Sequence, residues 1–523
     1  MNQMEFQRAA DIPAGIFQDL EEQLMTNIIR HCRGYEQPIA TDAWLLKKLA
    51  EIGKLNKENI KIIAKSTGLS QTAMEHMLNE VAEQVIEEIE PAMQQVARAG
   101  LAGEAVPVER SKNVNQVFTT MRKQAKDTLN LCNTTMLHKA RDAYQRFVQN
   151  IASTADEIAL QQEHIGILNK HATSAVIGAE SRQQALRKCI REFNDNGIPA
   201  FVDKRGREWT PEAYVNMAMR STSNTMAAEI QMARADDFGI NLVEVSSHSG
   251  ARPKCARDQG KIFDRANKSE KYPHWNTSSY GEPDGLLGIN CGHHIFPYIE
   301  GVSIRRYFPT EDMDANDKLY KETQVQRALE RSVRKQKREC MLFEQAGDQE
   351  GFEKAAVKLK EKEAQLRNYV NGNKDLHRRK DREQVVGFDR LVSAKAVSAN
   401  NNAKKKVAEK IKSDKIKAEI KTVGIAGEIE LNPKKIDVSK YTFDDRHINK
   451  ERDHGVSRKE AEQFIKEADV AIHKWNGRFV NYYSKNGAVY VDTEHSNIRT
   501  AFRQDEFDEK VQGIRKVMDK YGK

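Results

Sequence analysis

Helical periodicity over roughly the first 195 residues is the feature that most constrains the fold of this chain. Segments such as AWLLKKLAEIGKL, AMEHMLNEVAEQVIEEIEPAMQQVA and TTMLHKARDAYQRFVQNIA place apolar residues three or four positions apart, which is the spacing of an amphipathic helix. Glycine and proline are rare within these segments, and Gly100, Gly103 and Pro107 mark one break. The pattern predicts long helices over residues 1–195.

The composition is typical of long, partly exposed helices rather than of a compact enzyme. Of the 523 residues, 39% are hydrophobic and 7% are aromatic. The 84 Lys and Arg against 76 Asp and Glu give a net charge of only +8, so the charges describe solvated helix faces more than a nucleic-acid coat. Six widely spaced cysteines indicate a reducing compartment. No apolar run is long enough to predict a membrane span.

Between residues 196 and 307 the helical periodicity gives way to a mixed pattern. AFVD and REW, separated by a turn with glycine, predict a short hairpin. Thr210 followed by Pro211 predicts the start of a helix, and NLVEVSS predicts a strand. An irregular stretch rich in Gly, Pro and Ser then runs to Pro297. A segment this long needs something to hold it in place, or it would be disordered.

Charged helices and a linker are predicted next. Residues 308–390 contain LYKETQVQRALERSVRKQKREC and EGFEKAAVKLKEKEAQLRNYV, in which Glu and Lys recur three or four positions apart, as in an exposed helical hairpin. Residues 391–431 are rich in Ala, Lys, Asn and Ser. This composition predicts a linker, with a helix allowed in KKKVAEKIKSDKIKAEI.

The last segment, residues 432–523, has an α+β pattern. Ser457 and Glu460 form a capping box that opens a helix predicted to run through SRKEAEQFIKEADVAIHKW. RFVNYYSKNGAVYVD predicts a hairpin in which Asn486 and Gly487 adopt the positive φ angles of a type I′ turn. A strand near NIRTAF and a helix in DEKVQGIRKVMDKYG complete the predicted domain.

Cysteine and histidine cluster in the irregular middle stretch, at His248, Cys255, Cys291, His293 and His294. Thiolates and imidazoles are the ligands that a tetrahedral zinc ion prefers, and a metal would order such a segment. We take His248, Cys255, Cys291 and His293 as the predicted ligands of a structural zinc. Two alternatives stay open, namely plain packing of small side chains in a loop core and a disulfide between Cys255 and Cys291.

The middle stretch resembles a known family. GIPAFVDKRGREWTPEAYVNMAMRST, NLVEVSSHSGARPKCARDQGKIF and GLLGINCGHHIFPYIEGVS are similar to the minor capsid proteins of phages of Gram-positive bacteria. The second part also resembles the MuF-like head-morphogenesis domain, which pairs an upstream Cys and acidic residue with a downstream Cys-x-Cys near a Pro. This chain has His293 in place of the second Cys. The residues that match the pattern are Cys255, Asp258, Gly260, Cys291 and Pro297.

This resemblance covers roughly residues 1–390 and implies a virion component present in few copies. The expected partners are phage portal and capsid proteins, with contact to packaged DNA allowed, and the expected location is the head, after assembly in the host cytoplasm. The resemblance implies a portal- or capsid-associated helical region over residues 1–195 and a MuF-like α+β core over 196–307. It implies no catalysis there, so Asp258 is expected to accept structural hydrogen bonds.

The terminal segment resembles the phage-type barnase, EndoU, colicin and RelE-like nucleases, which occur as terminal fusions on MuF-like proteins. The matching segments are DDRHINKERDHGVSRKEAE, GRFVNYYSKNGAVYVD and NIRTAFRQDEFDE. The resemblance implies a small toxin-like domain that cuts RNA without a metal or another cofactor.

Such metal-free cleavage needs an acid and a base, a task that suits histidine, and cations that stabilise charge at phosphorus. His447 is our first choice for the acid or base and His454 the second. The phosphate would meet Arg452 and Arg478, and the end strand would supply Thr500 and Arg503. The alternative interpretation is that the histidines and arginines are solvated surface groups.

Two other functions remain open for the whole chain. One is a purely structural virion protein whose terminal domain is inert. The other is a DNA-binding protein, because ENIKIIAKSTGLSQTAMEHML over residues 59–79 has Ala64 and Gly68 at the offsets of a helix-turn-helix. Helical pairs joined at a glycine are also common packing units, and the segment carries only modest positive charge.

Overall fold

The chain forms two compact units, residues 1–400 and 401–523, each with its own buried core. It is mainly helical, with small sheets. The predicted helical residues at 33–40 and 169–173 lie outside the described part of the chain. The computed structural model describes residues 3–32, 41–168, 174–385, 387–434 and 436–522.

Long helices build most of the first unit, as the periodicity predicts. Their apolar faces share one core that extends from Ala14 to Ala399. The predicted break is confirmed, since the third helix ends at Arg98, just before Gly100. The helices are α1 (Gln3–His31), α2 (Thr41–Ala50), α3 (Ile52–Arg98), α4 (Lys112–Leu168), α5 (Ser174–Asn196) and α6 (Pro211–Asp237).

The helix-turn-helix alternative is contradicted, because residues 59–79 lie within the uninterrupted helix α3. Gly68 stays helical. The buried positions keep one helical phase through this segment, including Ile63, Ser70 and Met74. A single continuous stripe packs against the neighbouring helices, so no separate recognition helix exists and the DNA-binding alternative loses its basis.

A small α+β layer lies in the middle of the first unit. The predicted hairpin is confirmed, and the Thr210 hydroxyl caps α6 by accepting from the Ala213 N–H. A three-stranded antiparallel sheet follows in the order β4-β3-β5. Eight buried apolar residues form its local core. The elements are β1 (Phe201–Val202), β2 (Glu208–Trp209), β3 (Leu242–Val245), α7 (Pro253–Asp258), β4 (Ile262–Asp264) and β5 (Ile295–Tyr298), with a 3-10 turn at Trp275–Thr277.

The charged helical hairpin is also present, as α8 (Met313–Ala346) and α9 (Gln349–Asn371). A 3-10 turn at Lys380–Glu383 follows. The structure differs from the predicted linker over residues 391–431, because α10 (Arg390–Thr422) occupies most of it. Ala396 and Ala399 lie in the core of the first unit, and Ile416 and Ile420 lie in a core of the second. These four buried positions give the helix more tertiary support than the composition indicated.

The second unit is a six-stranded sheet with helices on both faces. Its order is β6-β8-β9-β10-β11-β7, antiparallel except for the pair of β11 with β7. Neighbouring residues along the strands alternate between two apolar cores, as Val470 and Ala471 do. The elements are β6 (Glu428–Leu431), β7 (Thr442–Phe443), a π-helix (Arg446–Glu451), α11 (Arg458–Glu467), β8 (Val470–Lys474), β9 (Phe479–Tyr483), β10 (Gly487–Asp492), β11 (Asn497–Arg503), a 3-10 turn (Gln504–Glu506) and α12 (Glu509–Lys520).

Two local predictions in this unit are wrong. The helix opened by the confirmed capping box ends at Glu467, and the VAIHK that follows is the strand β8. A short apolar run fits a buried strand as well as a helix, and here the sheet core decides. Neither Asn486 nor Gly487 has a positive φ. The Ser484 hydroxyl closes this turn instead, and Gly487 is required because a Cβ there would lie 2.3 Å from the Phe464 ring.

No helix among the described residues is both long and apolar enough to cross a membrane.

Candidate functional site

Three of the four predicted zinc ligands meet in the middle of the first unit. The Sγ atoms of Cys255 and Cys291 lie 3.8 Å apart, and Cys291 Sγ lies 3.3 Å from His293 Nδ1. The three candidate ligand atoms all lie within 4.8 Å of one another. Both cysteines are free thiols, so the disulfide alternative does not describe this structure.

The three-stranded sheet brings these distant segments together. Cys255 lies on α7, shortly after β3, and Cys291 and His293 lie just before β5. β3 and β5 are hydrogen-bonded neighbours, with Val245 opposite Ile295. Pairing of the two strands therefore places the segment that follows one beside the segment that precedes the other.

His248 lies next to this group without joining it. Its ring stacks on the His293 ring with centroids 4.5 Å apart, but its nitrogens are outside the 4.8 Å group. Nδ1 lies 3.1 Å from the Ser249 carbonyl oxygen. Nε2 is buried and has no hydrogen-bond partner among the described residues. His294 is buried and is also outside the group.

The environment favours a thiolate at one cysteine and neutral imidazole at His248. The pKa of Cys291 lies well below its usual range, because the Cys255 thiol donates to its sulfur and His293 lies beside it. The same hydrogen bond, together with burial, raises the pKa of Cys255. Burial, and then the neighbouring His293, lowers the pKa of His248 to about 4. Thiolate and neutral imidazole are the forms that bind a metal.

Gln259 is a site residue that the sequence reasoning missed. Its Oε1 accepts from His293 Nε2 at 2.8 Å and from the His248 backbone N–H at 3.1 Å, and its Nε2 donates to Thr310. With Nε2 bonded to Gln259, Nδ1 is the ring nitrogen placed beside the Cys291 sulfur where a metal would bind, which is how an outer residue orients a ligating imidazole. A lone glutamine carries no spacing signal that could have revealed this role.

Asp258 accepts structural hydrogen bonds, as the family resemblance implies. The buried carboxylate accepts from the Ser279 N–H at 2.8 Å and from its hydroxyl at 2.5 Å. The Ser279 Oγ accepts in turn from the Leu286 N–H at 3.0 Å. Gly260 has a φ of +69°, and a Cβ there would lie 2.0 Å from the Phe308 carbonyl carbon. Both residues therefore fix the path of the irregular stretch.

The residues proposed for RNA cleavage are divided between two ends of the second sheet. Arg478 is bonded to Glu494 at 2.8 Å, at the end where Phe479 pairs with Asp492. Arg503 pairs with Gly487 at the other end of the ladder between β10 and β11. The length of β11 therefore separates the two arginines, and they do not share a pocket.

His454 is the predicted residue that lies nearest to Arg503. Its Nδ1 is 2.6 Å from a Glu506 carboxylate oxygen, and the adjacent Gly455 carbonyl accepts from the Arg503 guanidinium at 2.8 Å. The other members make no hydrogen bond with this pair in the described part of the chain. His447 bonds Glu451 at 3.1 Å in the π-helix, Arg452 is exposed at the end of that helix, and Thr500 lies on β11 opposite Tyr490.

Comparisons with known proteins identify relatives of this chain. The chain matches the family Phage minor capsid protein 2 over residues 2–371. A "Structural protein" of Lactococcus phage LL-H is 26% identical over 389 residues, which cover 71% of this chain and 98% of that protein. A "Structural protein" of Lactococcus phage mv4 is 36% identical over 120 residues, 23% of this chain and 95% of that protein. No solved structure matches the chain significantly. The chain therefore belongs to the phage minor capsid protein 2 family and is a structural component of the virion.

Proposed function

We propose that the first unit is a rigid head component near the portal, and that a zinc ion bound by Cys255, Cys291, His293 and His248 keeps its loop-rich middle ordered. The observation that carries this proposal is the meeting of two thiols and an imidazole from segments that are far apart in sequence. The zinc would be structural, because four protein ligands leave no open position for chemistry.

The separations between the candidate ligand atoms fit a tetrahedral site. With Zn–S bonds of about 2.3 Å, two sulfurs on one zinc are about 3.8 Å apart, which is the separation of Cys255 and Cys291. A sulfur and a nitrogen on one zinc would be about 3.5 Å apart, against 3.3 Å between Cys291 and His293. The His248 Nε2 is the best fourth ligand, because it is buried without a hydrogen-bond partner in the described structure.

Elemental analysis of the full chain, purified under reducing conditions, tests the zinc proposal. We expect about one zinc per chain, and we expect Cys291→Ser to lose it. Cys132→Ser is the matched control, since Cys132 is also buried but lies in the helical core away from the group. Absence of stoichiometric zinc from the wild-type chain, or equal zinc in both variants, contradicts the proposal.

Location near the portal or the inner face of the head is supported by family membership and by the resemblance of the middle stretch to head-morphogenesis domains. Cross-linking of intact virions followed by mass spectrometry tests it. We expect cross-links from lysines of the first unit to portal or major capsid subunits. Cross-links confined to tail proteins would contradict this location.

A ribonuclease in the second unit is our second candidate function. The observation that favours it is the group formed by His454, Glu506 and Arg503, which places an imidazole, a carboxylate and a guanidinium at one end of the sheet. The family match ends at residue 371, before this unit begins, so a separate activity would not conflict with a structural role for the first unit.

An RNA cleavage assay on the full chain tests the second candidate. We expect about a hundredfold loss of rate in His454→Ala and Arg503→Ala, which is the scale of a lost acid–base group. His447→Ala tests whether His447, our first choice from the sequence, is the acid or base in place of His454. His495→Ala is the control, since this exposed histidine lies at the opposite end of the sheet. No cleavage by the wild type, or unchanged cleavage in all variants, removes the proposal.

A further inference from the structure

A cleft in the first unit is lined by an unusual number of arginines. It has a volume of about 990 Å³ and is bordered by α1, α6, α8, the segment around residues 381–384 and the loop segments that carry the Cys/His group. Arg327, Arg331 and Arg334 follow one another at spacings of four and three along α8, which places them on one face of that helix. Arg220 of α6 and Arg382 lie on the facing walls.

The charges lining this cleft do not balance. Six arginines and four carboxyl groups line it, an excess of two positive charges. The carboxyl groups are also committed elsewhere. Asp381 is bonded to Arg379 at 2.8 Å, Asp284 to Lys254 at 2.8 Å, and neither of these two cations lines the cleft. Burial raises the pKa of a third carboxyl group, Glu330. The effective positive excess is therefore larger than the count indicates.

Two of the arginines are half-buried, and neither has a carboxylate within hydrogen-bond distance among the described residues. The Arg220 side chain is 19% exposed, and its closest carboxylate oxygen, on Asp11, is 3.7 Å away. The buried Arg220 Nε has no hydrogen-bond partner. Arg327 makes no hydrogen bond or ion pair with any residue that the structure describes. Burial, and then repulsion from Arg382 and Arg220, lowers the pKa of Arg327 to about 10, so it is still a cation at neutral pH.

Like charges gathered in a partly desolvated cleft are unfavourable unless an anion offsets them. We propose that this cleft binds a compact phosphate ligand, such as pyrophosphate or the phosphate tail of a nucleotide, through Arg220 and Arg327. Guanidinium groups bind phosphate oxygens in a bidentate manner, and a phosphate group carries close to the two negative charges that the lining lacks.

Uncharged polar residues of the cleft could also contact a phosphate ligand. Tyr320 and Gln324 lie on the same wall of α8 as Arg327 and offer further polar groups. The half-buried position of both arginines favours a phosphate that enters the cleft over a duplex that lies across the surface. The proposed zinc ligands Cys255, Cys291, His293 and His248 line the same cleft. Neither Arg220 nor Arg327 belongs to their group, so a loss of phosphate binding in the arginine variants does not require a loss of zinc.

Calorimetric titration of the full chain with pyrophosphate at constant ionic strength tests the proposal. We expect saturable binding that weakens at least about tenfold in Arg327→Gln and in Arg220→Gln, the scale of one lost charged bidentate contact. Arg367→Gln is the matched control, because Arg367 is an exposed arginine of α9 outside the cleft, and we expect it to bind like the wild type.

The thermal midpoint separates a binding role from a structural one. Without ligand, Arg327→Gln should be at least as stable as the wild type, because it removes an unpaired, partly buried charge. Pyrophosphate should raise the midpoint of the wild type and of Arg367→Gln but not that of Arg327→Gln. Displacement of pyrophosphate by single-stranded DNA would identify nucleic acid as the source of the phosphate, and no displacement would identify a free phosphate compound. No saturable binding, or equal binding by wild type and Arg327→Gln, overturns the proposal.

Discussion

The three-stranded sheet of the first unit and the six-stranded sheet of the second unit hold their connecting segments in different ways. In the first, residues 265–294 join β4 to β5 with one 3-10 turn, over a local core of eight buried apolar residues. In the second, short turns join β8, β9, β10 and β11, and the sheet is covered by apolar cores of thirteen and twelve buried residues. Both regions are small and α+β, but the second sheet is stabilised by larger apolar cores than the first.

Buried polar groups replace apolar burial in the first sheet. The Asp264 carboxylate accepts from the backbone N–H groups of Ala266, Lys268 and Ser269, and Asp258 holds Ser279. Although burial alone would raise the pKa of Asp264, these hydrogen bonds hold it below its usual value. Two buried carboxylates therefore hold parts of the long irregular connection, to which we add the proposed zinc.

Removal of the metal is expected to give the largest difference between the two sheets. A chelator, or Cys291→Ser, should remove most of the hydrogen-exchange protection over residues 246–298 and leave residues 428–520 unchanged. Structural zinc contributes about 10–16 kcal/mol in small zinc domains at neutral pH, far more than one side-chain contact. Exchange measured by mass spectrometry checks this, with Cys132→Ser as the control. Equal hydrogen-exchange protection of residues 246–298 before and after chelation would contradict the claim that a metal holds the first sheet.

Truncation of Ile472 is expected to give the next largest effect, now in the second sheet. Ile472 is fully buried in β8, so Ile472→Ala should lower the free energy of unfolding of this unit by about 2–5 kcal/mol. Denaturant-dependent exchange of residues 428–520 measures the loss. Leu391→Ala, at an exposed position of α10, should change little. A loss below about 0.5 kcal/mol would mean that apolar burial does not hold this sheet.

Removal of the Asp258 carboxylate should have a smaller, local effect in the first sheet. Asp258→Ala leaves the Ser279 N–H and hydroxyl without their acceptor, which costs about 1–3 kcal/mol. We expect faster exchange between residues 275 and 291, measured as before. Asp314→Ala, at the exposed start of α8, is the control. No change in Asp258→Ala would show that the irregular stretch does not depend on this carboxylate.

The capping box gives the smallest expected effect. Ser457→Ala should cost about 1 kcal/mol at neutral pH. Hydrogen bonds from the Ser457 N–H and hydroxyl, and then from Arg503, lower the pKa of Glu460 to about 2. Its contribution is therefore present above the ordinary pKa of 4.5 and is lost as the pH falls toward 2. Unfolding of wild type and variant at pH 7 and pH 3 checks the trend, and a difference that grows in acid would contradict it.

Much of the architecture could be predicted because long segments repeat at a helical period. The α8–α9 hairpin, the strand β3 and the Ser457 capping box all follow from local patterns. β8 could not be assigned, because Val470 to Ile472 are buried by the sheet rather than marked by their own period. The helix-turn-helix error has the same origin, since tertiary packing keeps Gly68 helical.

The candidate site was only partly predictable. Cysteine and histidine are rare enough that Cys255, Cys291 and His293 could be selected from the sequence, and the sheet brings them together. Gln259 could not be selected, because its role depends on a hydrogen bond that only the fold creates. The arginine cleft was missed for a similar reason, since Arg220 and Arg327 are 107 positions apart in the sequence and reach one cleft because α1 packs against both α6 and α8.

X-ray absorption at the zinc edge, on the full chain purified under reducing conditions, is the most direct test of the proposal that zinc orders residues 246–298. We expect a shell of two sulfurs at about 2.3 Å and two nitrogens at about 2.0 Å, and loss of one sulfur or of all zinc in Cys291→Ser. A shell without sulfur, or a chain that holds no zinc while residues 246–298 remain protected from exchange, would contradict it.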